Sequence, residues 1–206
     1  MNNNMFFIIG LRRSGTSFIR REILKSRDVD WCLFEPHDLF YAVMLQKFNR
    51  FKKEPFISTR INKFRKNSNT NPGKKNKLCG AKFALNPGID AMDWRYFITQ
   101  FPGCKIIFIK RNIDDNYNSY YNEDKKIPRG YIEKGLYEPF WNFMNGTFER
   151  YVKNHASSSC MIDYDRFFVD FKDEMSKIWK TLGIPALDGL HKDLIKPSFF
   201  GGEHNE

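Results

Sequence analysis

The sequence lacks an apolar run long enough to cross a membrane or to form the core of a secretion signal. Among its 206 residues, the N-terminal run Met5–Ile9 is followed by Gly10 and soon by two arginines. A membrane span needs about 20 apolar residues and a signal core needs about 7 or more. We therefore expect neither of them here, and we predict a cytoplasmic location.

Cysteine is scarce, and its four positions show no paired short spacing. The four are Cys32, Cys79, Cys104 and Cys160. Each lies beside apolar residues, which favours buried free thiols over disulfides or a zinc site. No cluster of histidine, aspartate and glutamate replaces them, so we expect no metal. Free thiols fit a reducing compartment.

Acidic residues are almost absent from one long segment, between Gln46 and Lys77. It contains a single acid, Glu54, and eleven basic residues. These are Lys47, Arg50, Lys52, Lys53, Arg60, Lys63, Arg65, Lys66, Lys74, Lys75 and Lys77. The excess of ten positive charges equals the net charge of +10 of the whole chain. One segment therefore carries the entire charge imbalance, and the rest of the chain is neutral.

Two interpretations of this basic segment stay open. It also carries four aromatic side chains, Phe48, Phe51, Phe56 and Phe64, so it would suit an anionic glycan or another acidic acceptor. It would equally suit a solvated surface with an exposed loop. A non-enzymatic nucleic-acid-binding protein is a further alternative, but no stacking motif or recognition-helix pattern accompanies the charge.

Apolar runs alternate with helical patterns along the chain, which predicts an α/β fold. Strands are predicted at Met5–Gly10, Asp30–Glu35, Lys77–Leu85, Cys104–Ile109 and Ser159–Asp163. Helices are predicted at Ser17–Ser26, Asp38–Phe48, Ile89–Gln100, Asp114–Asn122, Tyr137–Asn154 and Arg166–Leu182. This alternation is typical of a three-layer α/β/α domain with a mostly parallel sheet. We expect one domain over residues 1–206, with a basic insertion at about 46–77.

The first strand leads into a glycine-containing loop that predicts a phosphate site. Gly10 and Gly15 are separated by four residues, and Thr16 and Ser17 follow. Glycines allow a tight turn with close backbone approach, and N–H groups at a helix N-terminus stabilise an anion. The lysine that normally reaches the terminal phosphates of a triphosphate is replaced by Thr16. Arg13 supplies a guanidinium for a terminal anionic group instead; the alternative is a turn with solvated arginines.

The loop Arg12–Ser17 resembles the one that holds the 5′-phosphosulfate in sulfotransferases using 3′-phosphoadenosine 5′-phosphosulfate (PAPS). The resemblance implies a P-loop NTPase-like fold, no metal, and adenosine 3′,5′-bisphosphate (PAP) as product. It implies donor binding by Arg12, Arg13, Ser14, Gly15, Thr16 and Ser17. Phe18 occupies the place of an aromatic that stacks on the adenine, although packing into the core explains it equally well.

A second motif resembles the same family. The segment Lys105–Tyr121 is similar to its strand followed by Arg-Asn-Pro-x-Asp and a later Ser-Tyr-Tyr, with Ile113 in place of the proline. Arg111 and Ser119 match the residues that hold the 3′-phosphate. A weaker match around Tyr164 places that ring beside the adenine. The segment 196–202 lacks the Arg-Lys-Gly with which many relatives cover the 3′-phosphate, so we expect an ordinary tail there.

Sulfuryl transfer by in-line attack needs a cation near the leaving phosphate and a base near the acceptor hydroxyl. We assign the cation to Arg13. Glu35 is the first candidate for the base, since it ends the second predicted strand. Its region of the chain also resembles the one in which bacterial carbohydrate sulfotransferases and tyrosylprotein sulfotransferases place a catalytic glutamate. His37 is the rival candidate, and a capped turn is the alternative for both. Lys82 resembles a family lysine near the sulfonate, although a solvated lysine at a strand end fits almost as well.

The resulting prediction is a PAPS-dependent sulfotransferase with a hydroxyl acceptor, such as a carbohydrate. A P-loop-type kinase or phosphotransferase is the alternative enzyme. Thr16 at the lysine position and the lack of an acidic strand end for magnesium argue against it.

Overall fold

The computed structural model of the chain describes residues 4–36, 43, 77–86, 94–124 and 132–186. Five strands form one sheet: β1 (Met5–Leu11), β2 (Val29–Phe34), β3 (Leu78–Leu85), β4 (Lys105–Lys110) and β5 (Ser159–Asp163). Their order is β2-β3-β1-β4-β5, and every neighbouring pair runs parallel. The predicted α/β fold with a parallel sheet is therefore confirmed.

The described residues include five helices. They are α1 (Thr16–Leu24), α2 (Trp94–Thr99), α3 (Ile113–Asp124), α4 (Lys134–Asn154) and α5 (Phe171–Leu182). The prediction of one continuous helix over 166–182 is wrong, because a 3₁₀ turn at Arg166–Phe168 precedes α5. The N–H groups of Val169 and Asp170 both donate to the carbonyl of Arg166, at 2.9 and 2.7 Å, and this closes the turn before α5 begins.

The central strand β1 explains why helices cover both faces of the sheet. Phe7 and Ile9 point to one face, where α2 and α4 pack, and Phe6 and Ile8 point to the other, where α1 and α5 pack. All four are at most 1% exposed. Burying such a side chain contributes about 1.5–3 kcal/mol. A strand that is apolar on both sides therefore needs the predicted three layers.

Several element boundaries differ from those predicted. β1 continues to Leu11, and α1 begins at Thr16, one residue before the expected start. β2 ends at Phe34, so Glu35 follows the strand rather than ending it. Of the predicted helix over 38–48, only residue 43 is described; Val43 is helical and fully buried.

Other predictions fall outside the described residues. His37, nearly all of the basic segment and the C-terminal stretch 187–206 belong to this group. All four cysteines are described, and they are buried free thiols, as predicted. Of the helices that the structure describes, none is both long and apolar enough to span a bilayer.

Candidate functional site

The loop between β1 and α1 lies at the carboxyl edge of the sheet, where parallel sheets bind ligands. Its neighbours are β3 on one side of β1 and β4 on the other. The N–H of Ser14 donates to the carbonyl of Leu11 at 3.0 Å, and the N–H of Arg12 donates to the carbonyl of Leu85 at the same distance. These bonds fold the loop back over β1 and bring it to the N-terminus of α1, where an anion is favoured.

Two loop residues have left-handed backbone conformations. Arg13 has a φ of 68° and Gly15 has a φ of 94°. The left-handed conformation is unfavourable for a residue with a side chain and costs about 1–3 kcal/mol where it is enforced. Such strain persists only where surrounding contacts hold it, and it is concentrated at ligand sites.

Close packing explains both loop glycines. A Cβ on Gly10 would lie 2.9 Å from the Cγ2 of Thr16 and 3.0 Å from the carbonyl oxygen of Ile109. A Cβ on Gly15 would overlap the ring of Tyr164. Tyr164 follows β5, so its ring closes one side of the loop from the far edge of the sheet.

Ser14 lies inside the loop with an unused hydroxyl. Its side chain is 2% exposed, and its Oγ has no hydrogen-bond partner among the residues that the structure describes. A buried polar atom without a partner costs about 1–3 kcal/mol, which a ligand oxygen would recover. The loop therefore fits a phosphate group by its donor set, its glycines and this hydroxyl.

Arg13, Ser119 and Arg111 meet at the loop. The Nε of Arg13 donates to the Oγ of Ser119 at 2.9 Å. The Nη1 of Arg111 donates to the carbonyl of Arg13 at the same distance. Ser119 lies on α3 and Arg111 immediately follows β4, so three separate elements supply these groups. The structure thus joins the two sequence motifs into one site.

Arg111 is a desolvated cation, only 5% exposed. Burial is the largest cause that lowers its pKa, and the charges of Tyr164, Asp165 and Asp115 oppose the effect. Its guanidinium carbon lies 5.3 Å from the centre of the Tyr164 ring. A buried cation beside this loop would be stabilised by a ligand of opposite charge.

The aromatic residues predicted near the adenine lie together. The rings of Phe18 and Tyr164 pack edge to face, with centres 6.1 Å apart and an interplanar angle of 84°. Phe18 also contacts Phe167 and Phe168, with ring centres 5.5 and 5.4 Å away. Phe18 is only half buried and packs against the edge of one core cluster. The same ring therefore serves the core and leaves surface for a ligand.

Lys82 is buried within β3, which excludes a solvated lysine at a strand end. Its side chain is 2% exposed. Its ammonium donates to the Oγ of Ser17 at 3.0 Å and forms a close ion pair with Glu35. Burial, the largest cause, lowers the pKa of Lys82, while the hydrogen bond and charge of Glu35 oppose this shift.

The backbone conformation just after β2 determines where the Glu35 side chain lies. Glu35 has a left-handed φ of 42°, and its N–H donates to the carbonyl of Lys82 at 2.9 Å. Its carboxylate thus turns towards Lys82 while remaining 23% exposed. Phe34, 57% exposed, places its ring centre 3.9 Å from the Lys82 ammonium. A carboxylate open to solvent and paired with a lysine can accept a proton from a bound hydroxyl.

Most of the predicted site residues that the structure describes fall into two groups. The first is at the loop and consists of Arg13, Ser14, Gly15, Arg111, Ser119 and Tyr164, and the second consists of Glu35, Lys82 and Ser17. Arg12 belongs to neither group, since its guanidinium is directed to the Oδ1 of Asn86 at 3.5 Å. Thr16 is buried in the first turn of α1.

Sequence reasoning missed Asn116, which donates from Nδ2 to the carbonyl of Arg12 at 3.0 Å. No sequence signal marks it, because the contact joins residues 104 positions apart. Within the described ranges, no group of three or more His, Cys, Asp or Glu side chains is arranged to hold a metal ion.

A family model described as "Sulfotransferase domain" matches residues 3–201. The chain belongs to the sulfotransferase domain family. Solved sulfotransferases have a similar fold. A mouse sulfotransferase, SULT7A1, complexed with PAP, aligns with a TM-score of 0.54 at 18% identity over 91% of this chain. A sulfotransferase from Alicyclobacillus acidocaldarius gives a TM-score of 0.56 at 15% identity over 94% of this chain and 87% of its own.

A third relative is the sulfotransferase domain of the Synechococcus PCC 7002 olefin synthase. It aligns with a TM-score of 0.59 at 15% identity, over 88% of this chain and 74% of its own. The alignment with the mouse sulfotransferase covers only 61% of the length of the mouse protein. No curated protein sequence matches the chain significantly. At identities this low, the structural similarity shows a shared fold and says nothing about substrates.

Proposed function

We propose that the chain transfers the sulfuryl group of PAPS to an acceptor hydroxyl. The contact between Arg13 and Ser119, 2.9 Å long, carries this proposal. It joins the loop that resembles the family's 5′-phosphosulfate site to the motif that resembles its 3′-phosphate site. A nucleotide with phosphates at both positions matches such a pair of sites, and an ordinary triphosphate does not.

The donor would be held by the loop and the strand ends beside it. Arg111 and Ser119 would bind the 3′-phosphate, and the loop residues Arg12, Arg13, Ser14, Gly15, Thr16 and Ser17 would bind the 5′ side. Phe18 and Tyr164 would contact the adenine. The donor supplies the activated sulfuryl group, and no metal is needed. The unused Ser14 hydroxyl and the desolvated Arg111 favour this assignment.

Arg13 would stabilise the charge that develops on the leaving phosphate. Its guanidinium is fixed by Ser119 and its carbonyl by Arg111, so little reorganisation is needed. Fixed donors aimed at a developing charge are the largest single contribution in many enzymes. The loop N–H groups at the start of α1 would add to this effect.

Glu35 would accept the proton of the acceptor hydroxyl, while Lys82 orients the carboxylate and faces Ser17. Proton removal by a positioned base contributes about 10²–10⁴-fold to rate. The position of Glu35 after β2, together with its solvent access, favours it. His37 stays the rival prediction.

The acceptor would enter beside Phe34, whose exposed ring adjoins Lys82. A carbohydrate or another acidic hydroxyl compound would suit the basic segment between Gln46 and Lys77. Neutralising its lysines should then raise the KM of such an acceptor and reduce its dependence on salt. We further propose that residues 1–206 form one domain and that the enzyme is cytoplasmic, since buried free thiols fit a reducing compartment.

Thermal-shift titration separates the proposed function from its alternatives. Stabilisation by PAP but not by ATP with magnesium supports the sulfotransferase, because binding to the folded state raises its unfolding temperature. Stabilisation by ATP with magnesium but not by PAP would favour the kinase alternative. A response to polynucleotide alone, fading with salt, would indicate a nucleic-acid binder. A screen for sulfonate transfer from PAPS to glycans, phenols, lipids and peptides would then identify the acceptor.

A further inference from the structure

The carbonyl groups of two consecutive loop residues are held from outside the loop. The carbonyl of Arg13 accepts from Arg111, and the carbonyl of Arg12 accepts from the Nδ2 of Asn116 at 3.0 Å. An anion-binding loop must direct its N–H groups inward and its carbonyl groups outward, since a carbonyl turned inward repels the anion. Arg111 is already assigned to the nucleotide, whereas Asn116 has no assigned role.

Asn116 is oriented in turn by a tyrosine on a different helix. The hydroxyl of Tyr137, on α4, donates to the Oδ1 of Asn116 in a close hydrogen bond. An amide whose oxygen accepts from Tyr137 must present its NH₂ group to Arg12. Burial, the largest cause, raises the pKa of Tyr137, so its hydroxyl stays protonated and remains a donor. Asn116 is fully buried and Tyr137 is 1% exposed.

The two loop contacts of α3 lie one helical turn apart. Asn116 holds the carbonyl of Arg12, and Ser119 holds the guanidinium of Arg13. Residues at this spacing share one face of a helix. Between the two held groups lies the backbone of Arg13, with its left-handed φ of 68°. The left-handed backbone conformation of an arginine is populated mainly when such external contacts hold it.

We propose that Asn116, oriented by Tyr137, is a positioning residue that holds the phosphate loop ready for the 5′-phosphate of the nucleotide. It acts through the carbonyl of Arg12 and does not touch the ligand. The proposal rests on the proposed function for the identity of that ligand. It makes the buried hydroxyl of α4 a determinant of nucleotide affinity, although α4 lies outside both sequence motifs.

Binding of two nucleotides tests the proposal. Asn116→Leu and Tyr137→Phe are compared with the wild type for PAP and for adenosine 3′-monophosphate, which lacks the 5′-phosphate. Loss of one hydrogen bond of this kind weakens binding by about tenfold or less. We expect Asn116→Leu to weaken PAP binding by about tenfold and Tyr137→Phe to weaken it by about threefold. The affinity for the 3′-monophosphate should stay nearly unchanged in both variants. A general loss of structure would weaken the binding of both nucleotides equally, and that outcome would overturn the proposal.

Tyr117→Phe is the matched control. It removes a hydroxyl from the buried cluster that Tyr117 forms with Tyr120 and Tyr137, and this hydroxyl lies 3.5 Å from the carbonyl of Ile132. Its affinity for PAP should equal that of the wild type. A loss in Tyr117→Phe as large as in Tyr137→Phe would also refute a specific role for Tyr137.

Hydrogen exchange in the free protein separates this proposal from the proposed function. Amide protection over residues 12–17 should fall in Asn116→Leu and Tyr137→Phe and stay unchanged in Tyr117→Phe. If the wild type fails to bind PAP, the proposed function fails, and the exchange result still decides whether Asn116 holds the loop. Unchanged protection in Asn116→Leu would refute that role whatever the nucleotide.

Discussion

The guanidinium of Arg13 donates to the hydroxyl of Ser119 across 2.9 Å, although 106 residues separate them in the chain. Arg13 belongs to the loop after β1, and Ser119 belongs to the helix after β4. Because β1 and β4 are parallel neighbours, the segments that follow them emerge at the same edge of the sheet. This contact brings two short sequence motifs together at the place where we propose the nucleotide phosphates to bind.

Arg111→Gln should weaken PAP binding by about ten- to a hundredfold, since hydrogen bonds from a charged group contribute about 1.5–3 kcal/mol. Calorimetric titration at fixed salt measures the effect. Arg150→Gln is the control, because Arg150 is an exposed arginine on α4. Equal losses in both variants would mean that general charge, rather than the position of Arg111, attracts the nucleotide.

Glu35→Gln should lower kcat by about 10²–10⁴-fold and leave PAP affinity nearly unchanged, because the amide cannot accept the acceptor proton. The measurement is sulfonate transfer to an acceptor found by screening. Glu149→Gln is the matched control, since Glu149 pairs with Lys110 on the surface at 2.9 Å. Full turnover in Glu35→Gln would transfer the role of base to His37 or to another residue.

Lys82→Met should change how stability depends on pH. Burial lowers the folded-state pKa of Lys82 below the ordinary lysine value of about 10.5. Between these two values the unfolded chain binds the proton and the folded chain does not. The free energy of unfolding therefore gains a contribution from Lys82 that rises with pH in this window and is lost as pH falls through the lowered pKa.

Urea unfolding from about pH 8 to about pH 10.5 measures this difference between wild type and Lys82→Met. The wild type should gain stability relative to the variant as pH rises. Lys134→Met is a control of opposite sign, because the hydrogen bond that Lys134 donates to Asp114 raises the pKa of Lys134. Lys134 is exposed, so its effect should be small. A pH-independent difference for Lys82→Met would contradict the assigned burial of its charge.

Gly15→Ala and Gly146→Ala should have opposite effects on stability. Gly15→Ala forces a methyl group into the Tyr164 ring at a left-handed φ, so we expect a loss of about 1–3 kcal/mol and weaker PAP binding. Gly146 lies inside α4, where the nearest atom to an added Cβ is the Nη1 of Arg150 at 3.8 Å. Gly146→Ala should stabilise the protein by about 0.5–1 kcal/mol. Thermal and urea unfolding measure both, and stabilisation by Gly15→Ala would disprove the packing argument.

Local patterns explain why the sequence predicted the strands and the phosphate loop. A buried parallel strand is a short apolar run, and Gly10 and Gly15 mark a turn whatever the rest of the chain does. The helix over 166–182 was mispredicted in part, because apolar spacing alone does not reveal the turn at Val169. The sequence left the burial of Lys82 open, because its contacts are with Glu35 and Ser17, which lie elsewhere in the chain.

By itself the sequence determined the parallel α/β architecture, the loop before α1 and the two motifs that contain Arg13 and Arg111. Only the tertiary structure decided that these motifs meet, that Lys82 is buried against Glu35, and that Asn116 holds the loop. Helices, strands and turns follow from residues a few positions apart. Contacts across 47 to 106 residues depend on strand order instead, and strand order is set by which apolar faces pack best together.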